Sequence, residues 1–274
     1  MRWPELSVLV LAIVVASSAC SRLTFVKPSA QRKGMERVAP EYSFSQSRES
    51  RQREAARRLV ATAEQKLQAG QLDAAEADAR AAVKQDRSFA DGHTMLGLIA
   101  GLDGRLPEAG RHYQRAAELD PSSGPVLNNY GAWLCGNGRS AESLAWFDRA
   151  LAEPGYYGGQ RVSALANAGS CAMQAGQMDR VEPYLRAALT LAPESTAALA
   201  GLSEYMYRSG RFMEARAFSE RRLAAAPPTA EALLLASRIE TSLGDAVAAE
   251  RYSRRLREEF PQAATDHQGT LVQP

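Results

Sequence analysis

Asp103-Gly104-Arg105-Leu106-Pro107-Glu108-Ala109-Gly110-Arg111 (DGRLPEAGR) returns in altered form along the chain. Its counterparts are AGQLDAAEA from Ala69, NGRSAESLA from Asn137, AGQMDRVEP from Ala175, SGRFMEARA from Ser209 and LGDAVAAER from Leu243. The glycines of these frames, Gly70, Gly104, Gly138, Gly176, Gly210 and Gly244, are separated by 34, 34, 38, 34 and 34 residues. Pro121, Pro193, Pro227 and Pro261 keep the same phase, since the 72 residues from Pro121 to Pro193 equal one interval of 34 plus the one of 38. A fixed period of this length marks stacked supersecondary units, each too small to bury its apolar face alone.

The residues inside one period say what the unit is. Leu96, Gly97 and Ala100 form one face of a first helix, and Gly97 lets a neighbouring helix approach closely. Gly104 ends that helix by accepting a left-handed conformation. Ala109, Tyr113 and Ala116 recur at i, i+4 and i+7 as the stripe of a second helix, which Pro121 stops because it has no N–H. This spacing resembles the tetratricopeptide repeat, two antiparallel helices in 34 residues. The implied fold is all-α, a right-handed superhelix of six such repeats at 56–89, 90–123, 124–157, 162–195, 196–229 and 230–263. Residues 158–161 (GGQR) are the four that lengthen one interval. The first repeat is the least regular, with Thr62-Ala63 for the usual Leu-Gly and Arg87 for the proline, as expected of an end unit with one face unpartnered.

Composition agrees with a helical solenoid. Of the 274 residues 45% are hydrophobic, 23% charged and only 7% aromatic, which favours small-residue helix packing over a β-sandwich. A net charge of +2 argues against nucleic acid as a main partner. That average hides an asymmetry: residues 21–58 carry ten basic residues against four acids, or +6, leaving −4 for the rest.

The N-terminus reads as an export signal. Arg2 precedes an apolar run from Leu6 to Ala16, about half of the ~20 residues a spanning helix needs. The following Ala16-Ser17-Ser18-Ala19-Cys20 resembles a bacterial lipobox, with Ser17 where leucine is usual. The resemblance implies cleavage before Cys20 and its acylation, and more than one acyl chain is what stable anchoring requires. A plain signal peptide with a leftover cysteine stays open. Ser21 in place of Asp implies the outer membrane by lipoprotein sorting rules. The expected organisation is thus a signal peptide at 1–19, lipidated Cys20 with a flexible basic tether over 20–54, the repeats over 55–263 and a tail at 264–274. The tether reads as a solvated linker, with contact to anionic lipid or peptidoglycan the alternative.

A search for chemistry finds little. Walker loop, His-Glu-x-x-His, Cys-x-x-Cys and nucleophile-elbow motifs are absent from the sequence, so no catalytic residue, cofactor or small-molecule substrate is expected. Gly136-Asn137-Gly138 falls on a repeat turn, not after a strand, and reads as a turn. His93 and His112 share the second repeat but lack a third ligand, and no metal is expected. Cys135 and Cys171 take positions 12 and 10 of adjacent repeats. Those positions point in different directions on a helix, so buried thiols are favoured over a disulfide, which an oxidising compartment keeps open.

Repeat superhelices work through the concave face of their first helices. Positions 2, 5, 9, 12 and 13 give Asn128, Ala132 and Cys135 in the third repeat and Ser170, Met173 and Gln174 in the fourth. They give Glu204, Tyr207 and Arg208 in the fifth, and Leu234 and Arg238 in the sixth. This mixed lining suits an extended peptide or a partner helix. The alternative is an apolar groove of Leu67, Leu98 and Leu102 in the first two repeats, gripping an amphipathic segment.

Particular runs carry a narrower resemblance. Val126-Leu127-Asn128-Asn129-Tyr130-Gly131-Ala132-Trp133-Leu134-Cys135 is similar to the LNNYG-x-x-L signature of the type IV pilus biogenesis lipoproteins called PilF or PilW. Ala166–Ala172 (ANAGSCA) resembles that family's fourth repeat, and LLLASRI from Leu233 with LREEFP from Leu256 its last. Members also carry a longer link before the fourth repeat, as GGQR provides, and many have glycine where Ser237 stands. The resemblance spans residues 55 to 263 and implies a pilotin. Such a lipid-anchored escort binds the pilus secretin, and aids its arrival and assembly in the outer membrane, where acylated Cys20 would hold it. In the signature, Asn128 is expected on the groove and Asn129 between repeats, with a purely structural asparagine pair the alternative. A different periplasmic repeat lipoprotein, for β-barrel assembly or recruitment of peptidoglycan hydrolases, is the other open class.

Overall fold

The computed structural model describes residues 47–263, which form six antiparallel helix pairs. The first pair is α1 (Arg48–Gln68) and α2 (Leu72–Gln85), followed by α3 (Ala90–Leu102) with α4 (Leu106–Leu119). Next come α5 (Gly124–Gly136) with α6 (Ser140–Ala152), and α7 (Gly158–Gln174) with α8 (Met178–Leu191). The last two pairs are α9 (Thr196–Arg208) with α10 (Phe212–Ala225), and α11 (Ala230–Ser242) with α12 (Ala246–Glu259). Each first helix touches the first helix of the next repeat, and each second helix packs on the first helix that follows it. Among the described residues no helix is long and apolar enough to cross a membrane. The signal segment, Cys20 and residues 264–274 lie outside the described residues.

The period is a turn mechanism. Gly104 sits at φ +74°, and the chain reverses there as Arg105 N donates to the Ala100 carbonyl at 2.8 Å. The corresponding glycine of each other frame has positive φ as well, a conformation costly for any residue with a Cβ. Within a pair, the close approach falls at position 8. A Cβ on Gly97 would stand 3.1 Å from the Tyr113 ring, and one on Gly169 2.6 Å from the Leu185 side chain. Repeats five and six solve the same contact differently: Ser203 and Ser237 each donate Oγ to a second-helix carbonyl, of Ala215 and Ala249, at 3.1 Å. Serine at 237 therefore replaces glycine with a hydrogen bond.

Two boundaries differ from expectation. The basic tether expected to reach residue 54 becomes helix at Arg48. Ser47 caps that helix, its Oγ accepting from Ser50 N at 3.1 Å, and Arg53 reaches Asp86 at 2.9 Å and Ser88 at 3.0 Å. Polar anchoring stands in for the missing apolar stripe. The extra GGQR does not form a loop. The first helices α3, α5, α9 and α11 have 13 residues each, whereas α7 has 17, so the insertion adds about one turn to its N-terminus.

Charges stitch the repeats in phase. Arg105 reaches back to Glu76 at 2.8 Å, and Arg211, at the same repeat position, reaches Glu182 at 3.0 Å. Hydrogen bonds from Arg80 and Arg105 outweigh burial and hold the Glu76 carboxyl below its ordinary range. Burial opposes the same shift at Glu182, where Arg186 and Arg211 prevail. Between the last two repeats the polarity is reversed, with Arg216 against Asp245 at 3.7 Å and against buried Glu240. Gly110 occupies the acid's position between repeats two and three. A Cβ there would stand 2.4 Å from Trp133, whose indole fills the space instead.

Candidate partner-binding groove

The inner faces of α7, α9 and α11 enclose two adjoining hollows. One of about 430 Å³ is lined by Ser170, Met173 and Gln174 of α7 with Ala197, Ala200, Gly201, Glu204 and Arg208 of α9. The other, of about 350 Å³, shares Ala197, Ala200 and Glu204 and adds Thr196, Arg222, Thr229, Glu231, Ala232 and Leu235. The shared residues make them one trough across repeats four to six. Its floor is small and apolar because positions 2 and 5 of the fifth repeat are both alanine. Glu204 and Arg208, one helical turn apart, pair at 2.5 Å on its rim. Arg222 hydrogen-bonds the Ala226 and Pro227 carbonyls, each at 3.4 Å, and Glu231 lines the same hollow. The Ser170 and Thr196 hydroxyls have no side-chain partner among the described residues. Gln174 accepts from Ser140 Oγ at 3.2 Å, which leaves its amide N–H groups free.

The third repeat forms a stiff wall beside this trough. Cys135 and Cys171 are joined by a disulfide, S–S 2.05 Å and Cα–Cα 5.9 Å, and both are buried. The expectation of separate thiols is corrected, and the reason is geometric. Two residues on one helix turn through about 200°, so positions 12 and 10 point to opposite sides. Opposite sides are what two helices lying side by side require for their side chains to meet. Asn167 donates to Asn128 Oδ1 at 3.3 Å across the same junction, and Asn128 in turn contacts Asn129 at 3.5 Å. Asn128, expected on the groove, is thus the residue that ties the repeats. On the outer face Arg180 holds Asp148 at 2.7 Å, with the Tyr184 hydroxyl on the same carboxylate.

Tetratricopeptide-repeat family models match residues 60–124 and 172–239. The type IV pilus assembly protein PilF of Pseudomonas aeruginosa is 25% identical over 195 residues, which is 71% of this chain and 77% of that protein. The crystal structure of PilW, described as a widely conserved type IV pilus biogenesis factor, superposes with a TM-score of 0.72 at 27% identity. It covers 78% of this chain and 98% of PilW. The Pseudomonas aeruginosa PilF structure gives a TM-score of 0.70 at 23% identity, covering 80% of this chain and 99% of that one, a likeness of fold. The chain is a tetratricopeptide-repeat protein homologous to PilF and PilW. Proteins of this fold generally serve as protein-interaction scaffolds, and these relations support a pilus-related repeat scaffold.

Seen in this PilF/PilW homologue, the expected site residues divide. Ser170, Met173, Gln174, Glu204 and Arg208 come together in the trough. Tyr207 does not line it; its half-buried ring lies against Phe212, centroids 5.8 Å apart. In the sixth repeat the lining passes to Ala232 and Leu235, one position beyond half-buried Leu234, and Arg238 is exposed away from it. Ala132 and Leu67 are half-buried against neighbouring core clusters, and Cys135 is sealed in the disulfide. Leu98 and Leu102 stand 40% and 62% exposed on α3. Sequence reading missed Arg222, which reaches the trough from a second helix. No first-helix pattern could have supplied it.

His93 and His112 meet between α3 and α4, Nδ1 to Nδ1 at 3.2 Å, both half-buried. Burial pushes both imidazoles below their ordinary pKa, aided at His93 by the charge of His112. One neutral ring must donate and the other accept, so the pair is an interhelical hydrogen bond. No group of three or more potential ligands that could hold a metal exists among the described residues.

Proposed function

We propose that the protein is an outer-membrane lipoprotein of type IV pilus biogenesis that acts as a pilotin. It binds the secretin subunit through its repeat superhelix and promotes the subunit's localisation and multimerisation. The carrying observation is the likeness to PilW along nearly the whole of that chain, at 27% identity. The lipobox-like ending at Cys20 supplies an anchor. The buried disulfide supports an oxidising compartment such as the periplasm, since such bonds are rare in reducing ones. The trough offers the partner surface.

Deletion of the gene tests the reading, with the heat- and detergent-resistant secretin multimer followed on a gel. Loss of the multimer, with subunit persisting or mislocalised, is the expected result. An intact multimer in the outer membrane rejects the pilotin role and leaves a repeat scaffold for a different envelope assembly.

A further inference from the structure

We propose that His93 and His112 form an acid-released latch between α3 and α4, which accepts one proton intact and parts on the second.

The geometry leaves room for a single hydrogen on the contact. The Nδ1 atoms stand 3.2 Å apart and the ring centroids 5.5 Å. That difference is about one imidazole diameter, so the two nitrogens meet head-on. His93 also donates to the Arg87 backbone carbonyl. With Nδ1 turned to His112, that bond falls to Nε2, which fixes the tautomer of the neutral ring. His93 Nδ1 is then the acceptor, and His112 gives the Nδ1–H. His112 Nε2 is left bare, facing Glu108 Oε1 at 3.8 Å.

The order of protonation follows. The first added proton goes to His112 Nε2, beside the carboxylate, and the bond from His112 Nδ1–H to His93 survives and becomes charge-assisted. The second can go only to His93 Nδ1, the acceptor of that bond. Two N–H groups would then point at each other, on two cations in a half-buried contact. The surroundings do not relieve the repulsion. Arg115 of α4 acts on His93, while Arg80 of α2, Arg105 at the cap of α4 and Arg111 of α4 act on His112. The carboxylate that answers them is Glu108, itself held by Arg105 at 2.8 Å. Separation of the rings removes the conflict, because each imidazole in water takes its own proton. The consequence is local. Leu96 and Ile99 of α3 share a core cluster with Ala63 of α1 and with Ala75 and Ala79 of α2. Parting of α3 from α4 therefore loosens the first two repeats, and the trough farther along keeps its walls.

The test is hydrogen exchange by mass spectrometry on the full chain in detergent between pH 7 and 5, with rates corrected for the intrinsic pH dependence of exchange. Protection of α3 and α4 should fall about tenfold or more per pH unit below about pH 6, the slope for net uptake of at least one proton on opening. Protection of α9 and α10 should hold. His93→Gln keeps a hydrogen-bonding group opposite His112 but takes no proton, and it should reduce the fall to less than about twofold per unit. Glu108→Gln should steepen the fall, because the closed pair then takes up less charge; an unsteepened fall overturns the order of protonation. Circular dichroism at pH 7 checks that the variants keep the fold, and His112→Gln repeats the test from the other helix. A fall of equal size in all six repeats, or one that both glutamine variants at the pair leave intact, overturns the latch.

Discussion

Cutting the Cys135–Cys171 bond should cost the protein several kcal/mol. The two cysteines are 36 residues apart in sequence. Closing a loop of that length removes unfolded-state entropy worth about 4 kcal/mol at 25 °C in the chain-entropy model. The bond ties α5 to α7, and both cysteines are buried. A repeat array stabilises its units through nearest neighbours, so the loss should concentrate on the third and fourth repeats. The experiment compares urea unfolding of the wild-type chain with and without reductant, followed by circular dichroism, beside the Cys135→Ala/Cys171→Ala double variant. Reduction should lower the unfolding free energy by about 3–4 kcal/mol, and the double variant should start low and ignore reductant. Hydrogen exchange should then accelerate first in α5 to α8. A loss below about 1 kcal/mol on full reduction would refute the reasoning, because the helix packing alone would then fix that junction. Retained binding of a thiol-specific label by the untreated protein would show that the bond is not formed at all.

Three further perturbations have definite signs. Gly110→Ala places a Cβ 2.4 Å from Trp133, an overpacking that should cost roughly 1–3 kcal/mol despite the helix preference of alanine, whereas Gly136→Ala meets nothing within 4 Å and should stabilise slightly, both read by urea midpoint. Cys20→Ala should release the protein from the outer-membrane fraction; unchanged fractionation refutes lipid anchoring. For the His93–His112 pair, both folded-state pKa values lie below the unfolded one, so the unfolded chain takes up protons first as pH falls. Their contribution is complete above about pH 6.5 and lost as pH drops below it, while Glu108 opposes the loss and Arg80, Arg105, Arg111 and Arg115 promote it. A His93→Gln variant should show a weaker fall in thermal midpoint between neutral and mildly acidic buffer; an unchanged slope refutes the assignment.

The fold was legible because its period rests on backbone geometry. Gly104 and its counterparts report a positive φ, and Pro121, Pro193, Pro227 and Pro261 report where second helices stop, with no need of tertiary information. Sites that depend on two helices at once were harder to read. The directions of Cys135 and Cys171 on a single helix say little, because the relevant frame is the pair of neighbouring helices. Leu235, at position 6, lines the trough in place of Leu234 at position 5, just as Gly201 at position 6 does in the fifth repeat. Arg222 could not be found from first-helix positions, since its long side chain enters from the second helix of the fifth repeat. The early start of α1 was hidden because residues 48–54 carry no apolar stripe, and their anchor is an ion pair to Asp86, 33 residues away.

The distribution of stitching bears on how the trough binds. The junction of repeats three and four carries the disulfide, the Asn128–Asn167 bond, the Ser140–Gln174 bond and the Asp148–Arg180 pair, a denser set than at any other junction among the described residues. These links fix α7, the first wall of the trough, and the Ser140 bond orients Gln174 so that its N–H groups remain available to a ligand. Ordering side chains on association costs about 0.5–1.5 kcal/mol for each one immobilised, and a wall already held escapes much of that cost. On the opposite side Arg222 is held by two long hydrogen bonds, to the Ala226 and Pro227 carbonyls. A partner seated on the trough would therefore lose least ordering entropy on the α7 side.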